Sequence, residues 1–537
     1  MPCRTPVRPD RPARLLPEYL EARVLFSLPP GLNGSGVPVA QAEAEVGPGE
    51  FEVNPSAVNQ PASLFTYTSS AGSVTGVPPP NAAGAESYHA DAVGQIFYGN
   101  GTSIAPGVSH VDNYEADYFI NNVIDGLAPI AAKVINQSFV ATDQNGTPIE
   151  DPATDQAYDN YIARFNKIIV SSAGNGGMPD SPSTAYNDIS VGSSDFPVSV
   201  GPTADGRSKP DISAPGSATS FTAPQVAAAA AVLLQATHQD LPWWSGFGAS
   251  DERTIKALLL NGADKPAGWT HTPTMPLDPR YGAGAVDAAN AVQELDAGRA
   301  LLDIPTWSPL GGTHAPLNLH GLFSNKPSGW DFGAIASSPK LDAVNHYLFT
   351  VSGSSTLTAT LVWNRQFNQS TINNLDLNLY NVDTHALVAQ SISGVDNVEE
   401  LYMTGLPAGH YDIEVLKHGG TPGVTPGDVS NTELYSLAFN FARGSTAPTT
   451  GGIQLAFGSL PASSAILSPP AGTATRFVPS GSFVTAPADS IGTTAANAVV
   501  SGTHSTVTLS SATDGTGRSP DASMSPFADG LLASELA

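Results

Sequence analysis

"SATSFTAPQVAAAAAVLLQ" (residues 217–235) sets hydroxyl side chains and a proline directly ahead of a run that is almost unbroken alanine. A helix over this run is apolar on every face. Its first residues have two readings. Ser and Thr side chains accept hydrogen bonds from the free N–H groups of a helix's first turn, and proline is tolerated there. Thr219, Ser220 or Thr222 would then be a cap, with Pro224 just inside the helix. Alternatively, a serine at a helix N-terminus sits in positive potential, where an oxyanion is stabilised. Ser220 would then be a nucleophile, provided a base and an orienting acid exist elsewhere in the chain.

The remainder of the chain narrows the choice. Its 537 residues exceed what one core supports, so two or three domains are expected. A net charge of −26 argues against nucleic acid and anionic membrane surfaces as partners. Only 13% of residues are charged, while Gly (52) and Pro (46) are abundant, a composition suited to a loop-rich protein that is secreted or displayed on a cell surface. The single cysteine, Cys3, excludes an internal disulfide and a cysteine-based zinc site. No stretch is apolar for the roughly 18 residues of a membrane span.

Four regions follow from composition and periodicity. Residues 1–30 form a basic, proline-containing leader without lysine, expected to be disordered. Across 31–298, short buried strands such as "GVPVAQAEA", "AAKVINQSFV" and "NKIIVSSAG" alternate with helical stretches such as "DNYEADYFINNVIDGL" (112–127) and "TDQAYDNYIARFN". That alternation is an α/β pattern with a mostly parallel sheet, whose ligands gather at the C-terminal strand ends. Residues 299–445 form an antiparallel β-sandwich, its alternating strands evident from about Leu317 onward. Residues 446–537 are Ser, Thr, Ala, Gly and Pro without Trp or Tyr, and read as a flexible tail.

Candidates for the missing partners lie in the α/β region. His89, in "ESYHADAVGQI", precedes small apolar residues as at the start of a buried helix, a setting that suits a general base. Glu43 is the first acid after the apolar strand "VPVA", with Glu45 on the same strand face as a competitor. Asn175, in "SSAGNGG", follows a buried strand and would donate to an oxyanion.

In this order of acid, histidine, asparagine and serine, the chain resembles the subtilisin-like serine peptidases, the subtilases. "GSGVPVAQAEA" is similar to the strand ending in the family's catalytic acid, and "HADAVGQI" to its His-Gly-Thr-His-Val-Ala-Gly. "INQSF", "SSAGNGG", "DGRSKPDISAPG", "TSFTAPQVAAAAAVLL" and "YGAGAVDAANAV" follow in family order, and the resemblance spans about residues 31–295. It implies a subtilisin-like three-layer domain, and burial of the serine helix at its centre. It also implies a serine endopeptidase acting on protein or peptide substrates. The catalytic set would be Glu43, His89, Ser220 and Asn175, with substrate-binding residues Ser138, Phe139, Ser172 and Gly174.

The sequence departs from the family at several points. Glu43 stands where the family has aspartate, and Ala218 replaces a glycine. "APGSATS" lacks the usual hairpin before the serine, and the thirty residues ahead of the domain are too few for the usual folding pro-segment. These departures leave an alternative, a catalytically silent binding module of the same fold. "YLEARVLFSL" also resembles a short N-terminal motif of large exported bacterial proteins, with Ala22 in place of its proline. No cofactor or metal is expected in catalysis. A structural calcium is expected, if anywhere, in the sandwich, near Asn373, Asn374 and Asp376 or Asp396, Asn397, Glu399 and Glu400. The sandwich would serve substrate, the cell wall or the peptidase domain itself.

Overall fold

The structure is a computed structural model that describes residues 28–237, 246–300, 303–312, 314–319, 321–420 and 431–443. The expected tail, and the leader up to residue 27, lie outside the described residues. All the described residues fall in one compact unit.

The N-terminal region supplies β1 (Pro38–Glu43), β2 (Glu50–Glu52), β3 (Phe65–Ser69), β4 (Gly72–Thr75), β5 (Ala85–Glu86), β6 (His110–Glu115), β7 (Val134–Gln137), β8 (Ile168–Ser172), β9 (Ile189–Ser193) and β10 (Ile212–Ala214). Eight of these form one sheet in the order β10–β9–β8–β7–β1–β6–β3–β4. Every pairing is parallel except the β3–β4 hairpin. The helices are α1 (Tyr88–Phe97), α2 (Pro152–Phe165), α3 (Thr219–Thr237), α4 (Glu252–Asn261) and α5 (Ala288–Ala297).

Both sheet faces are buried, which is why the strands read as continuous apolar runs. Val39, Val134 and Val170 point to one core with α3, α4 and α5. Ala40, Ala42, Ile135 and Ile169 point to the other, with α2 and the helical segment 116–124. The result is a three-layer α/β domain.

Helix α3 decides this arrangement. Of its 19 residues, only Ser220 is not buried. It packs on β7, β8, β9 and β10 and is flanked by α1, α4 and α5. Alanine at 227–231 lets these elements approach its backbone, and each of the five is fully buried.

Two local expectations are corrected. The helical reading of 112–127 holds only from Ala116, because residues 110–115 form β6 beside β1. Buried Asn113 accounts for the polar interruption: it accepts from Val53 N–H (2.8 Å) and donates to the Gln41 carbonyl (3.1 Å). Pro224 lies in the second turn of α3, not the first. Proline has no N–H to give the Ser220 carbonyl, and Ser138 Oγ donates to it instead at 2.9 Å.

The C-terminal region adds β11 (Ile304–Pro309), β12 (Ser328–Ala336), β13 (Leu341–Val351), β14 (Ser355–Trp363), β15 (Leu375–Asn381), β16 (Ala386–Ser391), β17 (Val398–Leu406), β18 (Gly409–Lys417) and β19 (Thr432–Arg443). They form a sandwich of two antiparallel sheets, β11–β13–β18–β15–β16 and β12–β19–β14–β17. The sandwich begins at β11, ahead of the alternation visible from Leu317. Trp330, Phe332, Val362, Val398 and Ala438 of the four-stranded sheet share one apolar cluster with α4 and α5. Trp330 Nε1 donates to the Leu295 carbonyl (3.2 Å), and Thr254 and Ser436 hydroxyls meet at 2.7 Å. "DGRSKPD" is structural: buried Asp211 takes Lys209 (2.7 Å) and Lys256 of α4 (3.2 Å), while Ser208 N–H reaches Asp396 of the sandwich (2.6 Å).

Ala229→Leu inserts bulk where α3 has no free surface. Overpacking of this kind costs about 1–3 kcal/mol. Denaturant titration should show a loss in that range, and an unchanged midpoint would mean that α3 is not enclosed.

Candidate active site

The site is assembled at the C-terminal ends of the parallel strands, where β1, β7, β8 and β10 deliver their following residues. Small residues bring β1 deep into the sheet, so its last residue, Glu43, is 1% exposed. Ser87 caps α1 by accepting from Ala90 N–H, which sets His89 in the first turn. Glu43 Oε2 lies 2.7 Å from His89 Nδ1. Glu45 lies past the end of β1, where its charge acts on Glu115 and Asp117.

Gln41 holds the acid. Its Nε2 donates to Glu43 Oε1 (2.8 Å) and to the Ala90 carbonyl (2.9 Å), while its Oε1 accepts from Tyr98 OH (2.6 Å). The sequence reading passed over Gln41. Its signal was a polar amide inside a central, otherwise apolar strand, because a buried amide is retained only where hydrogen bonds satisfy it.

Ser220 is the second residue of α3, and the ring of Phe221 beside it lies 6.0 Å from the His89 ring, centroid to centroid. Ser220 Oγ donates to the Ser138 carbonyl at 3.4 Å; among the described residues it makes no hydrogen bond to His89. None of the hydroxyls of Thr219, Ser220 and Thr222 caps the helix. Asn175 does so from across the cleft: its Oδ1 accepts from Thr219 N–H (2.8 Å) and Thr219 Oγ1 (3.1 Å). Because the N–H must donate, the atom that meets Thr219 is the amide oxygen.

The other expected residues lie at the ends of neighbouring strands. Ser138 and Phe139 follow β7, and Ser172 ends β8, its hydroxyl donating to the Phe139 carbonyl at 3.3 Å. Gly174 has φ +107°, and a Cβ there would come within 2.6 Å of Ser199 Oγ. Pro215–Ala218 joins β10 to α3 directly, and Gln225 Nε2 pins its first carbonyl at 2.7 Å.

Pairing with Glu43 makes His89 hold its proton more tightly than an ordinary imidazole. Burial, the largest influence, lowers the His89 pKa, but the Glu43 charge and hydrogen bond together outweigh it and the value is raised. Burial pushes the nearby acids Glu52 and Asp91 up to about 7. In Glu43→Gln the lowering by burial remains and the raising charge is lost. His89 should therefore titrate above its ordinary 6.5 in the native chain and at a lower pH in Glu43→Gln, as read by imidazole NMR. Equal values in the two proteins would rule out the pairing.

Of the sandwich groups considered for calcium, several meet protein partners, while Asn373 Oδ1, Asn374 Oδ1 and Glu400 Oε2 have no hydrogen-bond partner among the described residues. Asp376 accepts from His418 (2.9 Å), Asn373 donates to Glu433, and the Asn374 carbonyl accepts from His418 N–H (3.1 Å). Asp396 accepts from Ser208 and Ser393, Asn397 donates to the Tyr186 and Trp363 carbonyls, Glu399 accepts from Ser391 and Ser393, and Glu400 pairs with Lys265. The contacts with Ser208, Tyr186 and Lys265 tie the turn at Asp396–Glu400 to the α/β domain.

Residues 100–284 match the model of the subtilase family, a span that contains Asn175 and Ser220 but neither Glu43 nor His89. Among solved structures, the chain is similar to MycP1 with the N-terminal propeptide removed (20% identity, 49% of this chain and 92% of that one, TM-score 0.32). It is also similar to the patellamide maturation protease PatG (16%, 49% and 92%, 0.34) and to Pseudomonas sedolisin, a serine-carboxyl proteinase (14%, 49% and 94%, 0.31). The segment 100–284 belongs to the subtilase family, which supports a serine-type peptidase.

Proposed function

We propose that the chain is an endopeptidase that cleaves protein substrates through an acyl-enzyme on Ser220, with His89 as base, Glu43 as its orienting acid and Asn175 as an oxyanion donor. The carrying observation is the 2.7 Å contact between Glu43 Oε2 and His89 Nδ1, beside the N-terminus of the helix that bears Ser220. In that tautomer Nδ1–H donates to the carboxylate, and Nε2 is the free basic nitrogen. His89 takes the Ser220 proton as Oγ attacks the substrate carbonyl carbon. Glu43 then stabilises the imidazolium, and His89 passes the proton to the leaving amine. Water repeats the sequence to release the acyl group.

The longer side chain of glutamate is accommodated because Gln41 grips its second oxygen at 2.8 Å. Asn175 suits an oxyanion donor because its oxygen is engaged by Thr219, leaving Nδ2–H as the donor. The N-terminus of α3 supplies positive potential on the same side. A substrate backbone would lie between 138–139 and 172–174. The composition fits work at the cell surface or in the medium, and no helix among the described residues is long and apolar enough to cross a membrane.

The silent alternative finds one observation in its favour, the contact of Ser220 Oγ with the Ser138 carbonyl at 3.4 Å. That contact is long for a hydroxyl donor, and a χ1 rotation breaks it at little cost. Catalytic hydrogen bonds are also often loose before substrate binds.

Steady-state kinetics on an unstructured peptide separate the readings. Ser220→Ala should keep its fold and lose measurable hydrolysis. Asn175→Ala should lower kcat by roughly a hundred- to a thousandfold with little change in KM, because the lost bond forms mainly in the transition state. Native-like rates in Ser220→Ala, or no hydrolysis by the native chain, would overturn the proposal.

A further inference from the structure

The outer face of the five-stranded sheet carries a second cluster of chemically capable groups, remote in sequence from the cleft. Residues 343, 347, 349 and 351 of β13, and 411, 413 and 415 of β18, point into the sandwich core. Alternation therefore sends His346, Asp412 and Glu414 to the opposite face. The register sets His346 directly across from Glu414 and Leu348 across from Asp412. Such a face is ordinarily solvated, yet His346 is 2% exposed and both acids are 0% exposed. The described segment 314–319 passes over it, with Leu317 N–H donating to Asp412 Oδ2 at 2.9 Å.

Two carboxylates are thus buried side by side. His346 Nδ1 lies 2.8 Å from Asp412 Oδ2 and 3.6 Å from Glu414 Oε1. Among the described residues, Asp412 Oδ1 and both Glu414 oxygens have no hydrogen-bond partner. Neighbouring acids on the same face differ: Asp342 accepts from Gly311 and Gly419 N–H groups, and Asp376 accepts from His418. A buried carboxylate without partners costs several kcal/mol unless it binds a proton or a cation.

We propose that His346, Asp412 and Glu414 bind a divalent transition-metal ion of the zinc class. Their ligand atoms all lie within 4.8 Å of one another. Zinc–nitrogen and zinc–oxygen bonds near 2.0–2.2 Å put tetrahedral ligand atoms about 3.4 Å apart. The observed 2.8 and 3.6 Å separations bracket that value. Thr306 Oγ1 lies 2.8 Å from His346 Nε2, and accepting the proton there leaves the lone pair on Nδ1, as a metal-ligating imidazole requires. The imidazole ligand favours zinc-class ions over calcium, which prefers oxygen alone. The ion would clamp β13 to β18 beneath the segment 314–319. Its role would be structural, since neither strand contributes to the peptidase cleft.

The test uses the untagged full-length chain, stripped with a chelator and titrated with Zn(II), Co(II) and Ca(II) separately. The native chain should retain one Zn(II), show Co(II) d–d bands characteristic of nitrogen and oxygen ligation, and melt at a higher temperature with zinc. Glu414→Gln mimics the protonated acid in shape, so it should fold normally. It should bind Zn(II) at least tenfold more weakly, lose the zinc-dependent shift in melting, and keep native peptidase turnover. His346→Ala should lose the Co(II) bands. No zinc binding by the native chain, zinc binding by Glu414→Gln equal to native, or a site filled by Ca(II) but not Zn(II) would each overturn the proposal.

Discussion

A nineteen-residue helix with one unburied side chain can exist only if other elements enclose it on all sides, and α3 imposes that demand on the whole α/β domain. Its alanines set the spacing. A larger residue would push away β7 to β10 on one side or α1, α4 and α5 on the others. Enclosure also fixes the helix axially. Its N-terminus arrives where the parallel strands end, so the one side chain of α3 that escapes burial lies at those strand ends, beside Ser138.

The cleft inherits its chemistry from two further buried constraints. A carboxylate at 1% exposure needs donors, and Glu43 finds them in His89 and Gln41. Gln41 is in turn held by Tyr98 and Ala90, so the imidazole is positioned by a chain of buried polar contacts that runs back into α1. Across the cleft, Asn175 closes the free end of α3, and the same bond orients its amide. The cap that the sequence offered to the hydroxyls around Ser220 is supplied instead by this asparagine from another loop.

Legibility followed locality. Helix α3, strand β1 and the start of α1 were readable because their signals lie in contiguous residues: unbroken alanine, an apolar run ending in an acid, a histidine before small residues. Strand β6 was hidden because Asp112 and Asn113 look solvated, whereas Asn113 bonds to Val53 and Gln41, partners 60 and 72 residues away in sequence. Pro224 looked like a first-turn proline because the acceptor it abandons is rescued by Ser138, 82 residues from Ser220. Part of the partnering of the oxygen-rich sandwich turns was hidden because donors such as Ser208 and Lys265 come from the other domain. The His346 cluster went unread because it unites residues from two strands paired only in three dimensions.

The central claim is that enclosure of α3 presents Ser220 as an activated nucleophile beside a carboxylate-paired imidazole. Labelling by a fluorophosphonate, followed by proteolysis and mass spectrometry, tests it most directly. The expected result is one adduct per chain on Ser220, strongly reduced in His89→Ala. An adduct on another residue, or no labelling of the folded native chain, would contradict it.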